Sequence, residues 1–517
     1  MTSQAGADAL RELRRTRRRN RLADVHWVDA LYRVYIAALA GVIFVLFAAG
    51  RLPDDRLSND EALTFLHDAV PVLGLIFAVA IGIGARSGGR GGPLVLEGPV
   101  VLHELGAPVD RNLALRGPAL KQLRFLAFAG AVVGAIVGEL AARRLPVNVA
   151  AAIAACAVTF ALLAVLAAGV AMVLSGRRVG WLAANLVAGA IVGWSVLDLL
   201  AGTTTSPLTL LARLAFWPIE IAPMALVGVA VAVAVPLVGL ANVGGLSIEA
   251  AMRRAGLISQ LRFAVTLQDV RTVVLLRRQL SQERPRAKPW IHLRRGGRLP
   301  AVWRRDWQSV ARFPAVRLVR LALLGVAAGL AAGAAWRGVT PMIVASGLAL
   351  YVAGYDAAEP IAQEVDHPTR WESFPMEPGR VLLQHVPAAF VVMTIVYLIG
   401  VASSMVLVPV EVVVRLAPAT LVTAAGAAAL GAAVGTSQGA PDVAQMAGLG
   451  PDMMGFVLLG RLVLPPALVV VGLLPLLAAG SDADALDLPA VQSATTYSLF
   501  GLLGAFLWLR YRKPKHL

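Results

Sequence analysis

Few residues of this sequence have the type and spacing that chemistry demands. A phosphate-cradling loop needs Gly-x-x-x-x-Gly-Lys-Ser/Thr, and none of the four lysines follows a glycine. That route to ATP hydrolysis is closed to the chain. The run Gly88-Gly89-Arg90-Gly91-Gly92 lacks the lysine and reads as a flexible loop. His103-Glu104 lacks the second histidine of a zinc-protease helix, and no His/Cys cluster has metal-ligand spacing. Asp482-x-Asp484 has the form of a metal-binding glycosyltransferase motif, but it reads better as a solvated acidic loop. The sequence therefore predicts no catalytic, cofactor or metal site in this chain.

Charges within apolar runs are the remaining chemical clues, because an ionisable group in hydrocarbon is costly and often functional. Arg461 stands about two turns inside such a run, ahead of Pro465-Pro466. It is a candidate contact for an anionic substrate or headgroup in a transport path, and snorkelling to the inner surface is its bland alternative. Glu139 and Asp198 fall near the outer ends of their runs, where exposed carboxylates are expected. Asp356 and Glu359 are expected already in the cytoplasm.

The elements that must position these residues are membrane spans. The 517 residues are 58% hydrophobic and 15% charged, against about 25% charged in a soluble protein. Mean hydropathy is +0.72. Stretches of about 20 apolar residues, enough for a helix to cross a bilayer, recur along the chain. Barrel-like alternation is absent. The single cysteine, Cys156, excludes an internal disulfide. The fold class predicted is all-α, a polytopic bundle of about twelve spans in two pseudo-repeated halves of six. The spans read 30–50, 69–85, 124–142, 148–174, 180–201 and 222–241, then 316–336, 339–357, 386–406, 417–436, 454–479 and 490–509. Three regions follow: 1–241 as the first half with an N-terminal interfacial helix, 242–314 as a basic connector with a second interfacial helix, and 315–517 as the second half.

Net charge is +16, and its placement argues for topology rather than nucleic-acid binding. Seven arginines lie in 1–29, and 242–314 carries fifteen Arg/Lys against four acids. Residues 51–68 carry five acids against two arginines. Lys/Arg excess marks cytoplasmic loops, so both termini and the connector are expected inside, in the cell membrane. Arg143-Arg144 are the one violation. The connector has apolar residues at helical spacing among its arginines. Anionic inner-leaflet lipid, the acidic stretch 355–377 or a partner subunit would each suit it. Nucleic acid is a poor fit, because no aromatic stacking platform is evident.

The halves share local patterns. Val25 to Arg33 and Ala301 to Trp307 each read as a basic, aromatic helix at the inner interface. After the second span of each half, Pro108-Val109-Asp110-Arg111 and Pro375-Met376-Glu377-Pro378-Gly379-Arg380 place a proline, an acid and an arginine before a leucine-rich helix start. Duplication accounts for this; so does the common use of Pro and acids at helix starts.

This order of elements resembles the permeases of type-2 ABC exporters. Those permeases have six spans, an interfacial elbow helix, a cytosolic helix after span two that docks on an ATPase, and short outer helices between spans five and six. Thr203 to Glu220, too apolar for an ordinary loop, matches the last feature. The resemblance covers both halves. It implies two fused permease units working by alternating access, with a separate ABC ATP-binding subunit, in two copies, as partner. It also implies that Pro108, Asp110, Arg111, Pro375, Glu377 and Arg380 couple to that subunit. The acidity of the second half's loop, with Glu359, Glu364, Asp366, Glu372 and Glu377, departs from the pattern. A 6+6 ion-coupled carrier and a membrane scaffold or lipid-modifying enzyme are the alternatives. Substrate identity is not legible.

Overall fold

Polar caps punctuate an almost continuously apolar chain and set where its helices start. The computed structural model describes residues 8, 12–13, 15–16, 56–266, 276, 285–292, 300–366, 376–438, 451–480 and 486–512. No strand occurs among them. The expected first span 30–50, the first interfacial helix, Pro375 and the Asp482/Asp484 pair lie outside the described residues. Contacts divide the chain into two units, Met1–Gln260 and Leu261–Leu517.

In unit 1, α1 (Asn59–Gly88) opens on a capping box in which Ser58 and Glu61 satisfy each other's backbone N–H groups. α2 (Arg111–Ala142) starts from the Asp110 cap and α3 (Val149–Gly176) from the Asn148 cap. α4 (Trp181–Ala201) ends at Gly202, whose φ of 63° is the left-handed conformation that stops helices. A short α5 (Pro207–Arg213) runs into a 3₁₀ turn (Leu214–Phe216). α6 (Ala225–Asn242) and the partly basic α7 (Ile248–Thr266) follow. α3 packs against α1, α2 and α6, and α1 packs against α4. Small residues allow the close approach: a Cβ on Gly134 of α2 would fall 2.2 Å from the Cys156 carbonyl oxygen of α3.

Unit 2 begins with α8 (Ala301–Val310), α9 (Ala315–Trp336) and α10 (Met342–Ala357). α11 (Glu359–Asp366) is short; α12 (Pro378–Ser404) and α13 (Val410–Ser437) are long. α14 (Pro451–Val471), a five-residue α15 (Leu474–Ala478) and α16 (Leu488–Arg510) complete it. α13 is the hub, packing on α10, α12, α14 and α16. Its alanine-rich middle, Thr423 to Ala433, is buried almost all round. Between α9 and α12, a Cβ on Gly329 would meet the Gly400 carbonyl oxygen at 1.9 Å.

Nine helices among the described residues are long and apolar enough to cross a membrane: α1, α2, α3, α4, α6, α9, α12, α13 and α16. α10 and the apolar end of α14 are shorter than a full span. Large apolar side chains stand exposed on α4, where Leu186 is 73% and Leu200 78% exposed. A contiguous exposed apolar face suits lipid rather than water. The protein is a helical, multi-pass membrane protein.

Candidate functional site

The two stretches after the second span of each half each form the start of a long helix. Asp110 caps α2 by accepting the Asn112 N–H at 2.9 Å. Asn112 in turn accepts the Gly244 N–H at 2.8 Å, tying the start of α2 to the turn after α6. Glu377 is the N-cap residue of α12, with Pro378 in the first helical turn. Its carboxylate accepts from Arg510 at the end of α16, 2.5 Å away, and lies 3.9 Å from Arg380. That guanidinium holds the Glu377 carboxyl below the usual range. The start of α2 is therefore fastened to the turn after α6, and the start of α12 to the end of α16. Pro108, Asp110, Arg111, Glu377 and Arg380 are all exposed, and the bland reading of Pro and acid as helix starters accounts for the caps themselves. Their exposure leaves one face of each helix start open to a partner.

Arg461 lies half-buried on α14 and donates to the Gln438 carbonyl at the end of α13, 2.9 Å away. A cation there meets the negative end of a helix. Arg512 lies close enough that burial and Arg461 together lower its pKa to about 10.

Asp356 and Glu359 are expected in the cytoplasm; the structure adds that Asp356 and the nearby Glu364 are buried. Part of this acidic stretch is helix: α11 occupies Glu359–Asp366. Asp356 is 3% exposed and accepts from Arg320 at 2.7 Å. Glu359 lies 3.4 Å from Arg317. Glu364 is fully buried and pairs with Arg305 of α8. Beside it, the buried Asp306 carboxylate bonds Nδ1 of the buried His385 on α12, with oxygens 2.8 and 2.9 Å away. Burying acids without partners would cost several kcal/mol each, so the arginines and His385 are what lets Asp306, Asp356 and Glu364 be buried. The expected meeting of the connector with 355–377 is made here, by Arg305 and Glu364. One signal was readable in advance: Arg317 and Arg320 repeat at i,i+3 on one face of α9, and Asp356 and Glu359 stand equally close in sequence across the break between α10 and α11.

Asp198 is a correction. Expected near an exposed span end, it is 1% exposed. It accepts from the Thr205 hydroxyl at 2.6 Å, the Thr209 hydroxyl at 2.7 Å, the Ser206 N–H at 2.8 Å, the Thr203 hydroxyl at 3.0 Å and the Thr205 N–H at 3.1 Å. These bonds compensate the desolvated carboxylate and pin α5 to the end of α4. The donor-rich run Thr203-Thr204-Thr205-Ser206 was the readable signal. Glu139, by contrast, stays partly exposed and pairs with Arg143 one turn on.

Unit 2 also holds a small chamber of about 60 Å³ between α9, α10, α12 and α13. Its walls are apolar except for hydroxyls such as Ser346, Ser404 and the hydrogen-bonded pair Tyr397–Thr420. Among the described residues no group of three or more His, Cys, Asp or Glu is set to hold a metal ion. No protein-family model, curated protein or solved structure matches the chain.

Proposed function

We propose that this chain is the membrane subunit of an ATP-driven ABC exporter, two six-span permease units fused in one chain. The observation that carries the reading is the order of elements in the two units. Counting the expected 30–50 as a first span, α1 to α6 follow the sequence of α10 to α16. A short helical turn comes after the second span in each: Val100–Glu104 in unit 1, α11 in unit 2. A short helix comes before the sixth in each: α5, then α15. The packing pairs correspond as well. The second span touches the fourth and fifth, and the fourth touches the third and sixth, in both units. Such a correspondence supports duplication of a six-span unit, with α10 and α14 taken as short spans.

In this reading the termini and connector are cytoplasmic, and the halves alternate access to the two sides of the cell membrane. A separate ATPase, in two copies, presses on the stretches Pro108–Leu115 and Pro375–Leu383. The chain's lack of a Gly-Lys dipeptide fits a motor carried by another protein. An ion-coupled 6+6 carrier is the second reading, favoured by the buried His385–Asp306 pair, a titratable couple inside a membrane protein. Vesicles containing the chain and its ATPase separate the two. Asp110→Ala/Arg111→Ala and Glu377→Ala/Arg380→Ala variants should insert normally yet lose ATP-stimulated export at least tenfold. Unchanged ATP-driven export in both would remove the coupling assignment, and transport driven by a proton gradient without ATP would establish the carrier.

A further inference from the structure

A polar pocket of about 330 Å³ opens where α8 turns into α9. Arg305, Arg312 and Arg317 line it, with Glu359 and the side chains of Gln308 and Gln363. Arg305 is matched by Glu364 and Arg317 by Glu359. Of the three guanidiniums, one carries a charge that no carboxylate answers among the described residues. Arg312 supplies it: its side chain is exposed and makes no ion pair among the described residues. The guanidinium of Arg317 also lies over the Phe313 ring, 4.4 Å from its centre, which fixes one wall.

The rim of the pocket is built for an interface. The segment 285–292 is fastened along the turn by bonds from Arg286 N–H to Arg312 O at 2.9 Å and from Trp290 N–H to Ala311 O at 2.8 Å. The Trp290 indole N–H donates to Phe313 O at 2.8 Å. Arg286 stacks on the indole, 3.6 Å from the ring centre. Trp290 is nevertheless 47% exposed and Ile291 68% exposed. Indoles and arginines held together at a helix mouth are the composition of a membrane–water boundary. α9, an apolar helix long enough to span, begins at Ala315, within two residues of Phe313. The pocket therefore adjoins the start of a helix long enough to span.

We propose that this pocket binds a phosphate-bearing anion, presented as the headgroup of an anionic lipid. Arg312 provides the unneutralised charge, the Gln308 and Gln363 amides provide hydrogen bonds, and Trp290 and Ile291 meet the acyl region beside it. The site stands on unit 2 alone and does not depend on the transport reading.

The test uses the full chain in mild detergent. Phosphatidylglycerol, phosphatidylcholine and inorganic phosphate are titrated separately, with native mass spectrometry counting bound lipid and thermal melting reporting stabilisation. Wild-type protein should retain phosphatidylglycerol over phosphatidylcholine. Arg312→Gln should weaken retention about fivefold, the effect of one juxtamembrane arginine. Gln308→Glu, an exposed substitution that brings a negative charge to the pocket, should weaken it at least as much. Both variants should melt like wild type without lipid. Equal phosphatidylglycerol retention by wild type and both variants would overturn the site. Stabilisation by inorganic phosphate that both variants abolish, with no preference between the lipids, would overturn the lipid source and leave a soluble anion as ligand.

Discussion

Unit 1 and unit 2 bury acidic groups in opposite ways. In unit 1, Asp198 is surrounded by hydroxyls and backbone N–H groups, all of them neutral donors contributed by residues 203–209. In unit 2, Asp306, Asp356, Glu359 and Glu364 are met by His385, Arg320, Arg317 and Arg305, which come from α8, α9 and α12. The first arrangement is local and short in sequence. It acts as a pin between α4 and α5. The second draws partners from distant segments and holds several helix ends at once, so it is the region through which movement of α8 or α11 would reach the spans.

The largest effect should come from breaking the pin. Asp198→Ala strands several buried donors and should cost about 3–5 kcal/mol, read as a large loss of thermal stability in detergent. Asp198→Asn keeps the shape and one acceptor oxygen and should lose less; equal losses would mean that the charged carboxylate carries the whole effect.

Next in size is the ion-pair layer. Arg320→Met leaves Asp356 buried without that partner and should cost about 3 kcal/mol, whereas Arg320→Met with Asp356→Leu should recover most of it. A double variant no better than the single would show that the pair does not act as a unit. His385→Asn should loosen α8 from α12, seen as faster proteolysis near residue 300, while α4 and α5 keep their protection. Matching exposure of both regions would erase the distinction between a local pin and a distributed joint.

The smallest effect concerns Glu377, which is exposed. Its folded carboxyl titrates below the unfolded one because Arg510 donates to it. The link therefore contributes fully above the ordinary carboxylate pKa of about 4.3 and fades as pH falls through the lowered folded value. Glu377→Gln should lower stability at neutral pH by only the small amount an exposed pair gives, and should match wild type below the lowered folded value, so the acidic limb flattens. A loss that persists below the folded pKa would mean that Glu377 does more than fasten α12 to α16.

The comparison also shows how far the sequence could be read. Apolar run length marked the spans because the bilayer fixes that length. The runs expected from 124 and 386 begin as helices at Arg111 and Pro378. Hydropathy stops at the first arginines, whereas the helix continues to its cap. The expected 454–479 is two helices, broken after Val471. Asp198 was misjudged because distance to a span end says nothing about a ring of hydroxyls folding back over it. The burial of Asp356, Glu359 and Glu364 was not legible because their arginines lie 36 to 59 residues away. Arg461, read as a snorkelling group with a transport-path contact as the other candidate role, donates to the carbonyl at the end of α13.

The claim that most needs testing is that a separate motor drives this chain. Purifying the tagged protein from its native membranes in mild detergent, with quantitative mass spectrometry of what accompanies it, tests this directly. The account predicts a soluble subunit bearing Gly-x-x-x-x-Gly-Lys-Ser/Thr at about two copies per chain. An intact, membrane-extracted protein that repeatedly comes without any such ATPase would contradict it.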